Sequence, residues 1–163
     1  MAIMSVLKGK VLLYLVGFTI IVIDQYTKFL VRTNMVLGET IIVHPALVDI
    51  FDLTYTTNTG IAFGLFKGIG QIVSVIAALV VIVIIYYNHQ FSDREVWLRV
   101  ALGMQMGGAI GNNLIDRLYM GHVIDFLHIH YWPIFNVADS SITVGVIIML
   151  ILMVKDVRET KVS

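Results

Sequence analysis

The stretch from Gly68 to Ser92, GIGQIVSVIAALVVIVIIYYNHQFS, contains no Asp, Glu, Lys or Arg. Roughly 20 consecutive apolar residues are enough for a helix to cross a bilayer, so this run is read as a membrane span and constrains every other element. The composition agrees. Hydrophobic residues make up 58% of the 163-residue chain against 13% charged, and mean hydropathy is +0.90, outside the range of soluble domains. Lys plus Arg and Asp plus Glu both total 11, with no polybasic tract, which argues against nucleic acid as a partner. There is no Cys, and this removes disulfides, thiolate metal sites and a cysteine nucleophile together.

Three further apolar runs complete a single membrane domain over residues 1–163. With the first, they predict spans at about 11–31, 68–88, 96–115 and 134–154. The Lys8–Lys10 flank followed by an apolar run is like a signal peptide, but no A-x-A-like site follows, and a retained anchor is expected. Four crossings put both termini on one side. Lys8, Lys10, Arg94, Arg99, Lys155, Arg158 and Lys161 flank one face and Lys28, Arg32, Lys67 and Arg117 the other, so both termini are expected in the cytoplasm. The outer segment of about 38–66 is too polar to cross. There FDLTYTTN alternates, Phe51, Leu53 and Tyr55 against Asp52, Thr54 and Thr56, which predicts a strand; ETIIVHP is a second candidate, ended by Pro45. The glycine-interrupted NTGIAFGLFKGIG then leads back into the second span, with room for a short surface helix.

An acid in a membrane segment costs roughly 2.5 to 3.5 kcal/mol at a helix centre, so each needs a reason. Asp24, Asp116, Asp125 and Asp139 all fall near the outer ends of their segments, Asp139 about 6 to 9 Å below the surface at 1.5 Å per residue. Asn112 and Asn113 lie four and three residues before Asp116, and Asn136 three before Asp139, so both acids have an amide on their own helix face. Gly107, Gly108 and Gly111 strip bulk from the third segment, for close helix packing or for a substrate backbone. Asp24 has Lys28 at i+4, consistent with a simple ion pair. Asp116 reads as structural, and Arg117 as either an interfacial anchor or a substrate contact. His122, His128 and His130 lack metal-ligand spacing and are expected to be structural or interfacial, so no metal is expected. Glu39, Asp49 and Asp52 read as exposed loop acids.

Asp125 and Asp139 differ, because HVIDFLH and FNVADSS offer no Lys or Arg within four residues. Two carboxylates brought together in a low-dielectric site cannot both ionise easily and come to share one proton. Such a pair activates water: the ionised member takes its proton, and the protonated member polarises the carbonyl and then assists the leaving amine. No G-x-S-x-G elbow or other nucleophile competes. A proton-coupled transporter is the rival class, but its relay belongs at mid-membrane, and no ladder of ionisable residues crosses here.

Five ordered motifs resemble the bacterial lipoprotein signal peptidases, signal peptidase II: DQYTK (24–28), NTGIAFG (58–64), GGAIGNNLIDR (107–117), VIDF (123–126) and FNVAD (135–139). The resemblance implies an all-α membrane protein, a four-transmembrane-helix bundle with a small extracytoplasmic β-cradle on the membrane surface. It also implies an aspartic-type endopeptidase of the bacterial cytoplasmic (inner) membrane, active near the outer leaflet, that removes the signal peptide of diacylglyceryl-modified prolipoproteins just before the lipidated cysteine. Asp125 and Asp139 would be catalytic. Asp24, Lys28, Asn58, Gly60, Gly108, Asn112 or Asn113, Asp116, Arg117 and Asn136 would bind substrate or support the site. The motif amide is Asn112 when anchored on G-G-A-x-G and Asn113 when anchored on D-R. No cofactor is implied, membrane lipids are the surroundings, and a monomer is expected.

Overall fold

The computed structural model describes residues 2–59, 70–92 and 95–162. The chain runs α1 (Ala2–Asn34), β1 (Thr40–Ile41), β2 (Phe51–Asn58), α2 (Gly70–Asn88), α3 (Val96–Ala109), a wide-turn continuation of α3 (Ile110–Met120), β3 (Val123–Ile129) and α4 (Val137–Val162). Gly60, most of the NTGIAFG motif and the surface helix considered after it lie outside the described residues.

Among the described residues three helices are long and apolar enough to cross a membrane: Gly9–Asn34, Gly70–Asn88 and Val137–Arg158. Their apolar side chains point outward, as Phe18, Leu79 and Leu150 do. That inversion of the soluble pattern is what a lipid solvent permits. α3 is different. It is the most buried helix among the described residues, packed against both α1 and α4, and it reaches the sheet end of the bundle only through its continuation.

Small residues allow that packing. A Cβ on Gly107 would meet the Gly17 carbonyl of α1 at 2.6 Å, and one on Gly108 would meet the Ala138 carbonyl of α4 at 2.5 Å. The choice left open for these glycines therefore falls on helix contact. An apolar core of Leu13, Ala77, Val81, Ile84, Leu102 and Met106 joins α1, α2 and α3. At the α2–α3 connection Arg99 is fully buried, donating to the Ser92 carbonyl at 2.7 Å, the Phe91 carbonyl at 2.9 Å and the Asn88 side chain at 3.2 Å. Arg99 closes a turn as well as carrying a flanking charge.

From Ile110 to Met120 the third helix widens to i→i+5 turns and ends at Gly121, whose φ of 77° takes up the left-handed conformation that releases the chain. The Ser74 hydroxyl of α2 donates to the Asn113 carbonyl at 2.8 Å and fixes this segment laterally. In the wider turn, residues four apart lie nearly in line, and Asn112 and Asp116 face α1 together.

The three strands form an antiparallel sheet in the order β1-β2-β3. β1 is shorter than ETIIVHP suggests, because a 3-10 turn at Pro45–Leu47, capped by His44, takes over the segment. β2 spans the expected residues, but its alternation breaks. Register slips between Leu53 and Thr56, so Asp52 and Tyr55 are both buried. β3 falls between the third and fourth expected spans, in a segment for which no strand is expected above. VIDFLHI is almost continuously apolar, with its first four residues buried, so it lacks the period-2 signal of a half-exposed strand. Val31, Met35, Tyr55, Ile124 and Phe126 join the sheet to the C-terminal end of α1.

Candidate active site

α4 begins with a reciprocal cap. The Asn136 side-chain oxygen accepts from the Asp139 N–H at 3.0 Å, while the Asp139 carboxylate accepts from the Asn136 N–H at 3.2 Å. This is a capping box with Asn and Asp in the two roles, and it places a carboxylate in the first turn, where the helix dipole favours negative charge. The acid near the start of an apolar span therefore has a local structural reason before any chemistry is considered.

Asn136 also reaches the other acid. Its amide nitrogen lies 2.7 Å from Asp125 Oδ1, 3.1 Å from Asn112 Oδ1 and 3.2 Å from the Ile124 carbonyl. Two hydrogens serve three acceptors, so one bond is shared. Asn112 completes the ring by donating to Asp139 Oδ1 at 2.8 Å. Asp125 on β3 and Asp139 on α4 thus face one cleft, each held by amides. Burial pushes the Asp125 carboxyl up to about 6, helped by the neighbouring charge of Asp139 and opposed by hydrogen bonds from Asn58 and Asn136.

Behind this ring lies a buried ion cluster. Lys28 is 2% exposed, and its ammonium donates to Asp24 Oδ2 at 2.7 Å, Asn112 Oδ1 at 2.6 Å and Asp116 Oδ2 at 2.6 Å. Three donors meet three acceptors, which is the condition for a buried charge to be tolerated. Asp24 Oδ1 accepts from the Ala138 N–H at 2.9 Å, so an acid of α1 caps α4. Gln25, which the sequence did not single out although it sits inside DQYTK, donates to Asp116 at 2.8 Å and Asp24 at 3.1 Å. Gly111 leaves room for this approach, since a Cβ there would lie 2.8 Å from Asp24 Oδ2. The Asp24–Lys28 pair is more than a local i,i+4 bridge.

Asn58, Asn112, Arg117, Asp125 and Asp139 line a cleft of about 230 Å³, walled by Val123, Trp132 and Phe135. Arg117 presents Nε and Nη1 buried and without a hydrogen-bond partner among the described residues. Asn113 is elsewhere: its amide returns to the Ala109 carbonyl at 3.3 Å. Gly108 packs against α4, and Asp116 belongs to the ion cluster. An open apolar groove of about 530 Å³, lined by Trp132, Phe135, Thr143 and Val144, meets the cleft at Asp139.

Asp52 is a correction. Expected as an exposed loop acid, it is 5% exposed and accepts from Thr54 at 2.6 Å, with His128 and His130 also within hydrogen-bond reach. The side chains of Thr54, His128 and His130 cover it. Glu39 and Asp49 are exposed as expected.

Residues 16–155 match the family model described as signal peptidase (SPase) II. The chain belongs to the signal peptidase II family. It is 40% identical over 154 residues to a lipoprotein signal peptidase of Bacillus pumilus, covering 92% of this chain and 97% of that protein. The lipoprotein signal peptidase of Bacillus subtilis is 41% identical with the same coverage. Two solved structures described as bacterial membrane enzymes superpose with TM-scores of 0.82 and 0.79 at 31% and 32% identity, covering 89% and 88% of this chain and 88% and 93% of those chains. A membrane-enzyme fold and membership of a protease family follow from these matches.

Proposed function

We propose that this chain is an intramembrane aspartyl endopeptidase that removes the signal peptide from diacylglyceryl-modified prolipoproteins, cutting before the lipidated cysteine. The observation that carries the reading is Asn136, whose one side chain bonds Asp125 and caps Asp139 at the floor of a single cleft. Lipoprotein signal peptidases are similar to this chain over 92% of its length, which supports prolipoproteins as the substrate class.

In this mechanism the two carboxylates hold one proton between them. The ionised member removes a proton from water as the water oxygen attacks the scissile carbonyl carbon, and the protonated member donates to the carbonyl oxygen. The tetrahedral intermediate then collapses, the C–N bond breaks, and the leaving nitrogen takes a proton from the dyad. Asn112 and Asn136 keep both carboxylates oriented through these transfers, and the N–H groups of Arg117, which have no partner among the described residues, are available to substrate carbonyl oxygens. The apolar groove beside Asp139 suits acyl chains, which supports a lipidated rather than a bare peptide.

In the same reading α3 with its continuation is a fourth crossing, both termini are cytoplasmic, and the cleft opens at the outer leaflet of the bacterial cytoplasmic membrane. The enzyme acts as a monomer among membrane lipids. Incubating purified protein in lipid vesicles with diacylglyceryl-modified and unmodified prolipoprotein tests it: only the lipidated form is cut, and Asp125→Asn or Asp139→Asn releases no signal peptide while remaining folded. Turnover retained by either variant sinks the dyad.

A further inference from the structure

Away from the cleft, Asp52 on β2 stands directly across the ladder from His128 on β3, and His130 follows two residues later on the same face. His128 Nδ1 lies 3.1 Å from both Asp52 oxygens, and His130 Nε2 lies 2.9 Å from Oδ2. The two imidazoles stack with centroids 4.9 Å apart and planes at 23°, which brings one nitrogen of each toward the same carboxylate. All three candidate donor atoms fall within 4.8 Å of one another.

We propose that Asp52, His128 and His130 form a transition-metal site, with Zn²⁺ as its natural occupant, on the sheet outside the catalytic cleft. The donor set is two imidazoles and one carboxylate, which suits zinc and disfavours the all-oxygen ions Mg²⁺ and Ca²⁺. Bond lengths of about 2.0 to 2.2 Å put tetrahedral donors about 3.3 to 3.6 Å apart. The nitrogen–oxygen separations of 3.1 and 2.9 Å are a few tenths of an ångström shorter than that, and all three donors lie within 4.8 Å of one another, so side-chain rotation brings them round a common ion.

Two further features belong to a built site. The Thr54 hydroxyl donates to Asp52 Oδ1 at 2.6 Å and is itself 2.8 Å from the Thr40 hydroxyl of β1, so the carboxylate is oriented by an outer layer spanning the sheet. Asp52 is buried, whereas the imidazoles are 28% and 30% exposed, which leaves an entry path and open coordination positions for water. With neutral imidazoles the cluster carries one negative charge, and among the described residues no Lys or Arg bridges Asp52. A divalent cation bonded to both strands would brace the sheet that carries Asp125. The inference is independent of the peptidase reading.

The test uses the full chain in detergent micelles, free of any histidine tag, stripped with EDTA and titrated with Zn²⁺ against a chromophoric chelator. One Zn²⁺ binds per chain, and its thermal midpoint rises by roughly 5 °C with free Zn²⁺ at a hundred times the dissociation constant. Asp52→Asn and His130→Asn weaken binding at least about 100-fold, while His44→Asn and His122→Asn bind like the wild type. Thr54→Val leaves all three donors in place and weakens binding by roughly 10- to 100-fold, which keeps the proposal testable if a donor variant misfolds. Equal binding by wild type and the His128→Asn/His130→Asn double variant overturns it. So does a thermal midpoint that falls in His130→Asn yet does not respond to Zn²⁺ in the wild type, the behaviour of a hydrogen-bonded triad alone.

Discussion

Asn136 serves two structures at once, closing the cap of α4 and holding Asp125, so its removal has two readouts. Asn136→Ala is expected to lose about 1 to 2 kcal/mol by thermal unfolding through the cap, and to cut prolipoprotein cleavage as the carboxylates lose their orientation. Asn112→Ala should impair cleavage more than Asn113→Ala, because only Asn112 bonds Asp139. Asp125 supplies a pH test. Below its ordinary value of 3.8 the folded and unfolded chains both hold the proton; between there and about 6 only the folded chain does. Stability therefore falls as pH rises through that window, by up to about 3 kcal/mol, and Asp125→Asn flattens this part of the profile. Equal pH profiles for the two proteins would refute the assigned shift. Both aspartates were legible as unpaired acids in apolar sequence, whereas the third role of Asn112, accepting from Lys28, depended on a residue of another helix.

Helices meet through small residues, and the polar cluster lies where they meet. Lys28→Met would leave Asp24 and Asp116 buried without their cation, at a cost of about 3 to 5 kcal/mol by denaturant or thermal unfolding. Gly108→Val should separate α3 from α4 at the Ala138 carbonyl and lower the thermal midpoint, with a loss of about 1 to 3 kcal/mol or more. The spans were readable as apolar runs because lipid solvation depends on composition over some 20 residues. β3 was not, because a strand buried over its first four residues loses the alternation by which strands are recognised. The widened turns after Ala109 were also illegible, since nothing in IGNNLIDRLYM distinguishes i→i+4 from i→i+5 bonding.

At the scale of the molecule the site joins elements distant in sequence: Lys28 of α1, Asn112 of the α3 continuation, Asp125 of β3, and Asn136 and Asp139 of α4. The natural absence of Cys makes the proposed orientation directly testable. A membrane-impermeant maleimide should label Asp49→Cys in intact cells stripped of their wall, and Gln90→Cys only after permeabilisation; both positions are exposed. The reverse pattern would invert the topology and put the cleft on the cytoplasmic side.

By itself the sequence determined that the chain lives in a membrane, roughly where it crosses, and which two acids lack a neutralising neighbour. Those properties are local sums or local absences, and a single segment carries each of them. Only the tertiary structure decided that Asp24 caps α4, that Lys28 neutralises acids from two helices, and that Asp52 is covered by two histidines. Burial and hydrogen bonding of a polar group depend on what packs against it, and that partner lies elsewhere in the chain.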